Sequence, residues 1–572
     1  MIKHERKGII MKENKKKIAG TMALMAVLVT GVVGGGMALT KNIGKSAREI
    51  SKEEALEDLP KLLKKINVSE VQPRKAQVQI GTSSLIDELP DISKYPLSVE
   101  GNGSIDIEIF SSTEKSSKGT DGWLNEVAEN FNEERFEIDG YTVSVSVRPV
   151  ASGLSVDYIK SGKYVPEVFT PSNELWGDMI EAEGVEIELV DESIVSNTAG
   201  ILVDKDTYSD IESKYGSVSI NTVIQATVDG EIAMGYTNPY ASSTGLNFLV
   251  SALNCFDNND ILSTKAVESF IDFQANVPFV AYTTLQMREA AESGALDAFI
   301  MENQTVYNDP SLKNYKFIPF GVEHNNPVYA LGNLSSIKQE LLDMFVDYCK
   351  NSESQELADK YGFNQIKNYK SDIPDIAGTS LISAQKLWKE EKDAGRPVVA
   401  VFVADTSGSM DGEPIAQLKR SLINASQYIG EDNSIGLVTY NNDVQINLPI
   451  GKFDINHRAY FTGAVEDMSP FGSTATFDGV AVAADMLVKA REANPDAKIM
   501  MFVLSDGETN IGSSLKDVSG IIQALEIPIY TIGYNANLDE LSKLSAINEA
   551  ASVNADSDDV VYALKNLFNA QV

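Results

Sequence analysis

The chain has 572 residues, more than one hydrophobic core normally organises, so two or three domains are expected. Its 43% hydrophobic and 23% charged content is that of folded domains, while a formal net charge of −34 excludes a broad nucleic-acid surface, because phosphates would be repelled. Two cysteines, Cys255 and Cys349, and three dispersed histidines exclude a disulfide framework and a zinc site built on Cys and His; a single bridge between the cysteines stays open.

Residues 1–17 hold seven Lys or Arg against two Glu, a net of +5. Residues 18–40 are 23 positions without a charge, long enough to cross a hydrocarbon core of ~30 Å at ~1.5 Å per residue. Basic flanks stay in the cytoplasm, which predicts a single-pass signal anchor with everything after Thr40 outside the cell. The competing reading is a cleaved signal peptide, for which the span is long and the small-residue spacing around Gly36–Ala38 poor.

From Lys41 to about Gly101 the chain is charged and punctuated by Pro60, Pro73, Pro90 and Pro96. This predicts a stalk or linker over 41–101, partly helical in "SAREISKEEALEDLPKLLKKI", with no core of its own. Strand and helix periodicities then alternate: "IDIEIF", "GWLNEVAENFNEE", "YTVSVSVRPV", "VDYIKSG", "EVFTPS", "NELWGDMIEA". Such alternation predicts an α/β domain over 102–372 with a mostly parallel sheet. A helical connector, "SAQKLWKEEKDAGRP", falls within 373–396.

A second α/β unit is expected over 397–572. Apolar strands are predicted at Val398–Ala404, Ser434–Tyr440, Lys498–Leu504 and Pro528–Gly533, with helical segments between them. Asp405 is the first residue past one strand end, with Ser407 and Ser409 at alternate positions after it; Asp506 follows another strand, and Thr474 sits in a Gly-containing loop before a helix. Ligands of open α/β sheets bind beyond the carboxyl ends of the strands. One or two carboxylates with neutral hydroxyls suit a hard, oxygen-liganded ion, Mg²⁺ or Mn²⁺, in preference to Ca²⁺, which demands more carboxylates. The alternative is that Ser409 or Asp411 caps the next helix.

Residues 397 to about 570 resemble a von Willebrand factor type A domain, a doubly wound, Rossmann-like fold. "DTSGSM", "GSTATFDG" and "LSDGETN" are similar to the three parts of its metal-ion-dependent adhesion site. The resemblance implies that Asp405, Ser407, Ser409 and Thr474 supply direct or near-direct ligands, with Asp506 often acting through water. It also implies that the metal recognises a protein or cell-surface ligand offering an acidic side chain.

In 104–370, hydroxyls cluster before helices in "FSSTEKSS" and "NPYASSTG", and "FTPSN" follows the third strand. Such loops suit carboxylates or oxyanions, or else simply cap helices. The order of these segments, with "VAYTTLQMREAAESGALDAFIMENQTVYN" and "ELADKYGF", resembles a bacterial extracellular solute-binding protein of the two-lobed type. By that resemblance Ser111, Ser112, Ser172, Ser243, Thr244 and Tyr282 contact a small-molecule solute, and Ala199–Asp204 and Phe317–Leu331 cross between lobes. No Lys or Arg stands out as an anion clamp.

Together these readings describe a cell-membrane receptor, not an enzyme, since no acid–base pair and no nucleophile beside a His is evident. The alternative is the substrate-binding component of a transport system, with the C-terminal domain as its docking module.

Overall fold

The computed structural model describes residues 50–78, 85–277, 279–281, 287, 296–507, 509–534, 539–545 and 552–554, with positions 564, 567, 568 and 571. The span expected at 18–40 and Tyr282 lie outside the described residues, among which no helix is long and apolar enough to cross a membrane. The chain forms two compact units. One comprises the residues up to Pro90 and those from Gly395 onward; the other runs through the intervening chain to Ala394. The first strand, β1 (Val68–Glu70), belongs to the former.

The intervening unit has two sheets, hence two lobes. The first comprises β2 (Ile105–Ser111), β3 (Glu137–Ile138), β4 (Tyr141–Pro149), β5 (Val168–Thr170) and β6 (Ile187–Asp191). The chain then crosses to the second, made of β7 (Asn197–Asp204), β8 (Met234–Thr237), β9 (Phe279–Ala281), β10 (Ala298–Glu302) and β11 (Tyr315–His324), before β12 (Val328–Leu331) returns to the first. The orders are β3-β4-β2-β5-β12-β6 and β11-β7-β10-β8-β9.

The first crossing therefore falls at 192–196, ahead of the expected Ala199–Asp204, whose residues are already paired inside the second sheet with β10 and β11. The return crossing, at 325–327, lies within the expected Phe317–Leu331. Helix Trp123–Glu133 buries Trp123, Leu124, Val127, Ala128 and Phe131 on one face, the spacing of a helix laid on a sheet.

The expected connector is part of this unit. Helix Gly378–Glu391 buries Leu381, Ala384 and Trp388, and the Trp388 indole donates to the Tyr236 hydroxyl at 2.7 Å. A Cβ on Gly378 would lie 2.0 Å from the Asp178 carbonyl oxygen, so only glycine permits that approach to helix Leu175–Ala182.

The other unit has one sheet, of order β1-β15-β14-β13-β16-β17-β18. Its remaining strands are β13 (Val398–Asp405), β14 (Ser434–Tyr440), β15 (Val444–Lys452), β16 (Lys498–Ser505), β17 (Ile529–Gly533) and β18 (Ser552–Asn554). All pairings are parallel except that of β14 with β15. Side chains alternate across the sheet. Ala400, Phe402 and Ala404 enter one core with helices Glu413–Ala425 and Ile455–Glu466, while Val399, Val401 and Val403 enter the other with Thr476–Ala493 and Leu515–Leu525.

The expectation of a coreless stalk is corrected here for residues 52–76. Helix Lys52–Leu63 starts with a capping box between Ser51 and Glu54 and places Ala55, Leu59 and Leu62 in the second of these cores. β1 extends the sheet beside β15, in the register Val68↔Val444. Beyond it the Ala76 N–H donates to the Ala459 carbonyl at 3.0 Å, and the Arg74 guanidinium donates to Asp467 at 2.9 Å. The apolar positions at i, i+4 and i+7 make this helix half of a packed pair, which its charged remainder conceals.

Candidate functional site

β13 and β16 end side by side, and each delivers an aspartate. Asp405 closes β13 and is fully buried; its Oδ1 accepts the Ser407 N–H at 2.7 Å and its Oδ2 the Ser505 hydroxyl at 2.6 Å. The Ser409 hydroxyl donates to Asp506 Oδ1 at 2.9 Å. Its one hydrogen being so used, Ser409 accepts from the Ser407 hydroxyl, 3.0 Å away. Asp405, through the Ser407 N–H, and Ser407, Ser409 and Asp506, through their side-chain oxygens, thus form one hydrogen-bonded set.

Thr474 arrives on the adjoining loop. That loop is stitched to the first by the Phe471 N–H on the Thr406 carbonyl at 2.9 Å and the Gly408 N–H on the Gly472 carbonyl at 3.0 Å. The Asn510 side chain accepts the Thr474 N–H at 2.9 Å, and Asn442 accepts the Ser473 N–H at 2.8 Å. Gly472 has φ of +79°, and a Cβ there would sit 2.8 Å from the Asn442 amide. Both facts require glycine. Helix Glu413–Ala425 starts at Gly412 without a side-chain cap, so neither Ser409 nor Asp411 serves as its cap.

Burial raises the Asp405 carboxyl above its ordinary value against the pull of Ser407 and Ser505, and the nearby Asp506 charge adds to the rise. Burial likewise raises Asp506. Among the described residues neither carboxylate has a basic partner, and there is no cluster of three His, Cys, Asp or Glu. Two carboxylates in a hydroxyl-rich shell, without a cation of the chain's own, fit a divalent oxygen-liganded ion. Sequence reasoning missed Ser505, Asn442 and Asn510, which position the others; the one signal was that Ser505 ends an apolar run directly before Asp506.

In the two-lobed unit, Ser111, Ser112, Ser172, Ser243 and Thr244 are all buried. Ser112 and Ser172 answer Lys115 and Glu114 respectively, and Ser243 accepts the Trp176 indole N–H at 2.8 Å. Thr244 donates to Glu302 at 3.0 Å, while Ser111 has only a 3.4 Å approach to the Ser112 carbonyl. Around them is a buried polar set that the sequence did not disclose.

Lys115, fully buried, donates also to the Thr170 and Pro171 carbonyls at 2.8 and 3.3 Å, and burial lowers its ammonium to about 8. It is held by the protein and is not extended as an anion clamp. Glu302 accepts from Asn197 at 2.7 Å and lies 3.0 Å from His324 Nδ1. The Asn247 amide is oriented by its paired bonds to Val322 N–H and C=O, so its Nδ2 must donate to His324 Nε2 at 3.2 Å. The His324 proton is therefore on Nδ1, facing Glu302. Near the crossings and strand ends, Asn173, Thr198, Asn238, Asn325 and Asn326 each keep one buried polar atom that has no hydrogen-bond partner among the described residues.

Comparison with known proteins agrees with this division. Residues 116–364 match the bacterial extracellular solute-binding protein family, and residues 400–570 match the von Willebrand factor type A domain family. Among curated relatives, an uncharacterised protein of Synechocystis sp. is 22% identical over 31% of this chain and 43% of its own length. The inter-alpha-trypsin inhibitor heavy chain H3 of Bos taurus is 29% identical over 25% of this chain and 18% of its own. The chain thus spans less than half the length of these relatives. Among solved structures, a periplasmic thiamin binding protein aligns at 10% identity over 51% of this chain and 99% of its own, with a TM-score of 0.37. The chain joins a bacterial extracellular solute-binding protein domain to a C-terminal von Willebrand factor type A domain, two folds of binding or docking proteins.

Proposed function

We propose that the protein is a membrane-anchored, extracellular, non-enzymatic receptor. Asp405, Ser407, Ser409 and Thr474, with Asp506 through water, would hold Mg²⁺ or Mn²⁺, which supplies a Lewis-acidic position for an acidic side chain of a protein or surface ligand. The carrying observation is the pair of aspartates at adjacent strand ends, linked through Ser407 and Ser409 and lacking a basic partner among the described residues. The two-lobed domain would capture a small polar solute, a reading supported by the unpartnered buried polar atoms at its crossings, which call for bound water or ligand. The anchor rests on the basic segment 1–17 and the uncharged stretch 18–40.

The test is Mg²⁺ titration of the purified protein followed by thermal unfolding. At ~100 times the dissociation constant, Mg²⁺ should stabilise the C-terminal domain by about 2.7 kcal/mol, an effect that EDTA reverses. Asp405→Asn, which keeps the side-chain shape, should abolish it. An unfolding temperature indifferent to Mg²⁺ and Mn²⁺ in the wild type would sink the metal reading. An interaction with a surface partner that persists in EDTA and in the variant would separate partner recognition from the metal.

A further inference from the structure

The loops that carry the oxygen site also carry two large apolar side chains out into solvent. Phe471 is 57% exposed although its own N–H is pinned to the Thr406 carbonyl and the next residue receives the Gly408 N–H. Ile511 is 37% exposed, and its N–H approaches the Thr474 carbonyl at 3.3 Å, beside the Asn510 that holds Thr474. Single exposed apolar residues are ordinary on protein surfaces. Here the backbone of each is tied to the loops that carry Ser407 and Thr474, so both side chains are exposed on fixed stretches of the site's own loops. A rigid aromatic costs little entropy to bring into an interface, and such residues dominate binding energies.

Charge narrows the partner. Asp411 and Asp443, exposed on the site's loops, add negative charge to a chain whose net is −34. An acidic patch would be repelled at long range, whatever a bound metal could offer one carboxylate at short range. Resting on the metal-dependent reading above, we infer that Phe471 and Ile511 form the apolar rim of the adhesion site. They select a protein ligand that presents one Asp or Glu flanked by apolar side chains on an otherwise basic surface. The metal takes the carboxylate, the rim takes its apolar neighbours, and the acidic loops favour the basic surroundings.

Acetylated, amidated peptides serve as probes: Lys-Leu-Asp-Leu-Lys, Lys-Gly-Asp-Gly-Lys, Lys-Leu-Asn-Leu-Lys and Glu-Leu-Asp-Leu-Glu. Each is titrated by NMR or calorimetry against the full chain in Mg²⁺ and in EDTA. The first should bind in Mg²⁺ only and at least about tenfold more tightly than each of the others. Phe471→Ser and Ile511→Ser, both surface changes, should each weaken it severalfold and together by at least about tenfold, while leaving the Mg²⁺-induced thermal shift intact.

If that shift is intact but the first peptide does not bind, or binds the double variant as well as the wild type, the rim is not a recognition surface and the metal reading survives. Preference for the Glu-flanked peptide would overturn the charge argument and with it the stated partner. Absence of the thermal shift in the wild type would overturn the metal reading itself.

Discussion

Asp178 shows how a single half-buried carboxylate departs from ordinary behaviour. Burial in helix Leu175–Ala182, with Glu181 on the same helix and Asp375 on the segment beside it, pushes its carboxyl up to about 6 from 3.8. An acid with a raised folded value binds its proton more tightly in the native state. The stability this confers is complete below the unfolded value and is lost as pH rises through about 6. Other carboxylates of the chain are shifted in both directions, so the informative quantity is a difference between proteins. Asp178→Asn should match the wild type in unfolding temperature near pH 4 and exceed it near pH 7, the gap opening between the two. A gap that is constant with pH, or that closes as pH rises, would show that Asp178 does not titrate this way. Within "NELWGDMIEA" only the Glu181 contribution can be read; burial, the largest cause, and Asp375, nearly two hundred positions away, come from the fold. Asp405 and Asp506 were legible by contrast: one closes and the other directly follows a continuous apolar strand, and parallel strands bring their carboxyl ends to one edge.

Among elements, composition hid strand β1 and the core role of helix Lys52–Leu63, which was expected as a helix of a coreless stalk. Val68, Ser69 and Glu70 are all exposed, so β1 has no apolar alternation; it exists because β15 offers a free edge of N–H and C=O groups. β15 itself contains Pro449 and a register shift, marks of an edge strand that periodicity alone does not reveal. The four central parallel strands were plain in the sequence since each is apolar on both faces. If the N-terminal helix is truly core, Leu59→Ala, at 2% exposure, should cost about 2–5 kcal/mol of the C-terminal domain's stability. Gly463→Ala is a separate probe of the segment that follows β1, since its Cβ would fall 2.0 Å from the Arg74 carbonyl oxygen. Amide exchange at Ala76 should accelerate in that variant. Protection equal to the wild type would mean that residues 74–76 do not lie across helix Ile455–Glu466.

At the scale of the whole molecule, the chain enters the single-sheet unit, leaves it to build the two-lobed unit, and returns at Gly395 to complete the first. The solute-binding domain is thus an insertion between the N-terminal helix and strand of the von Willebrand factor type A domain and its main body, not a bead threaded before it. Each unit has its own core. Helix Lys52–Leu63 packs only with residues of the single-sheet unit in its cluster, and the aromatic core around Trp123 and Phe131 draws only on the two-lobed one. Units with separate cores unfold as separate cooperative transitions, even when one is discontinuous in sequence. Calorimetry of the full chain should therefore resolve two transitions. Leu59→Ala should lower one of them and Asp178→Asn should move the other near pH 7. Mg²⁺ should raise the transition that Leu59→Ala lowers, because a ligand stabilises only the unit that binds it. If Leu59→Ala instead moved the transition that responds to Asp178→Asn, residues 52–63 would belong to the solute-binding domain and the insertion would be misassigned.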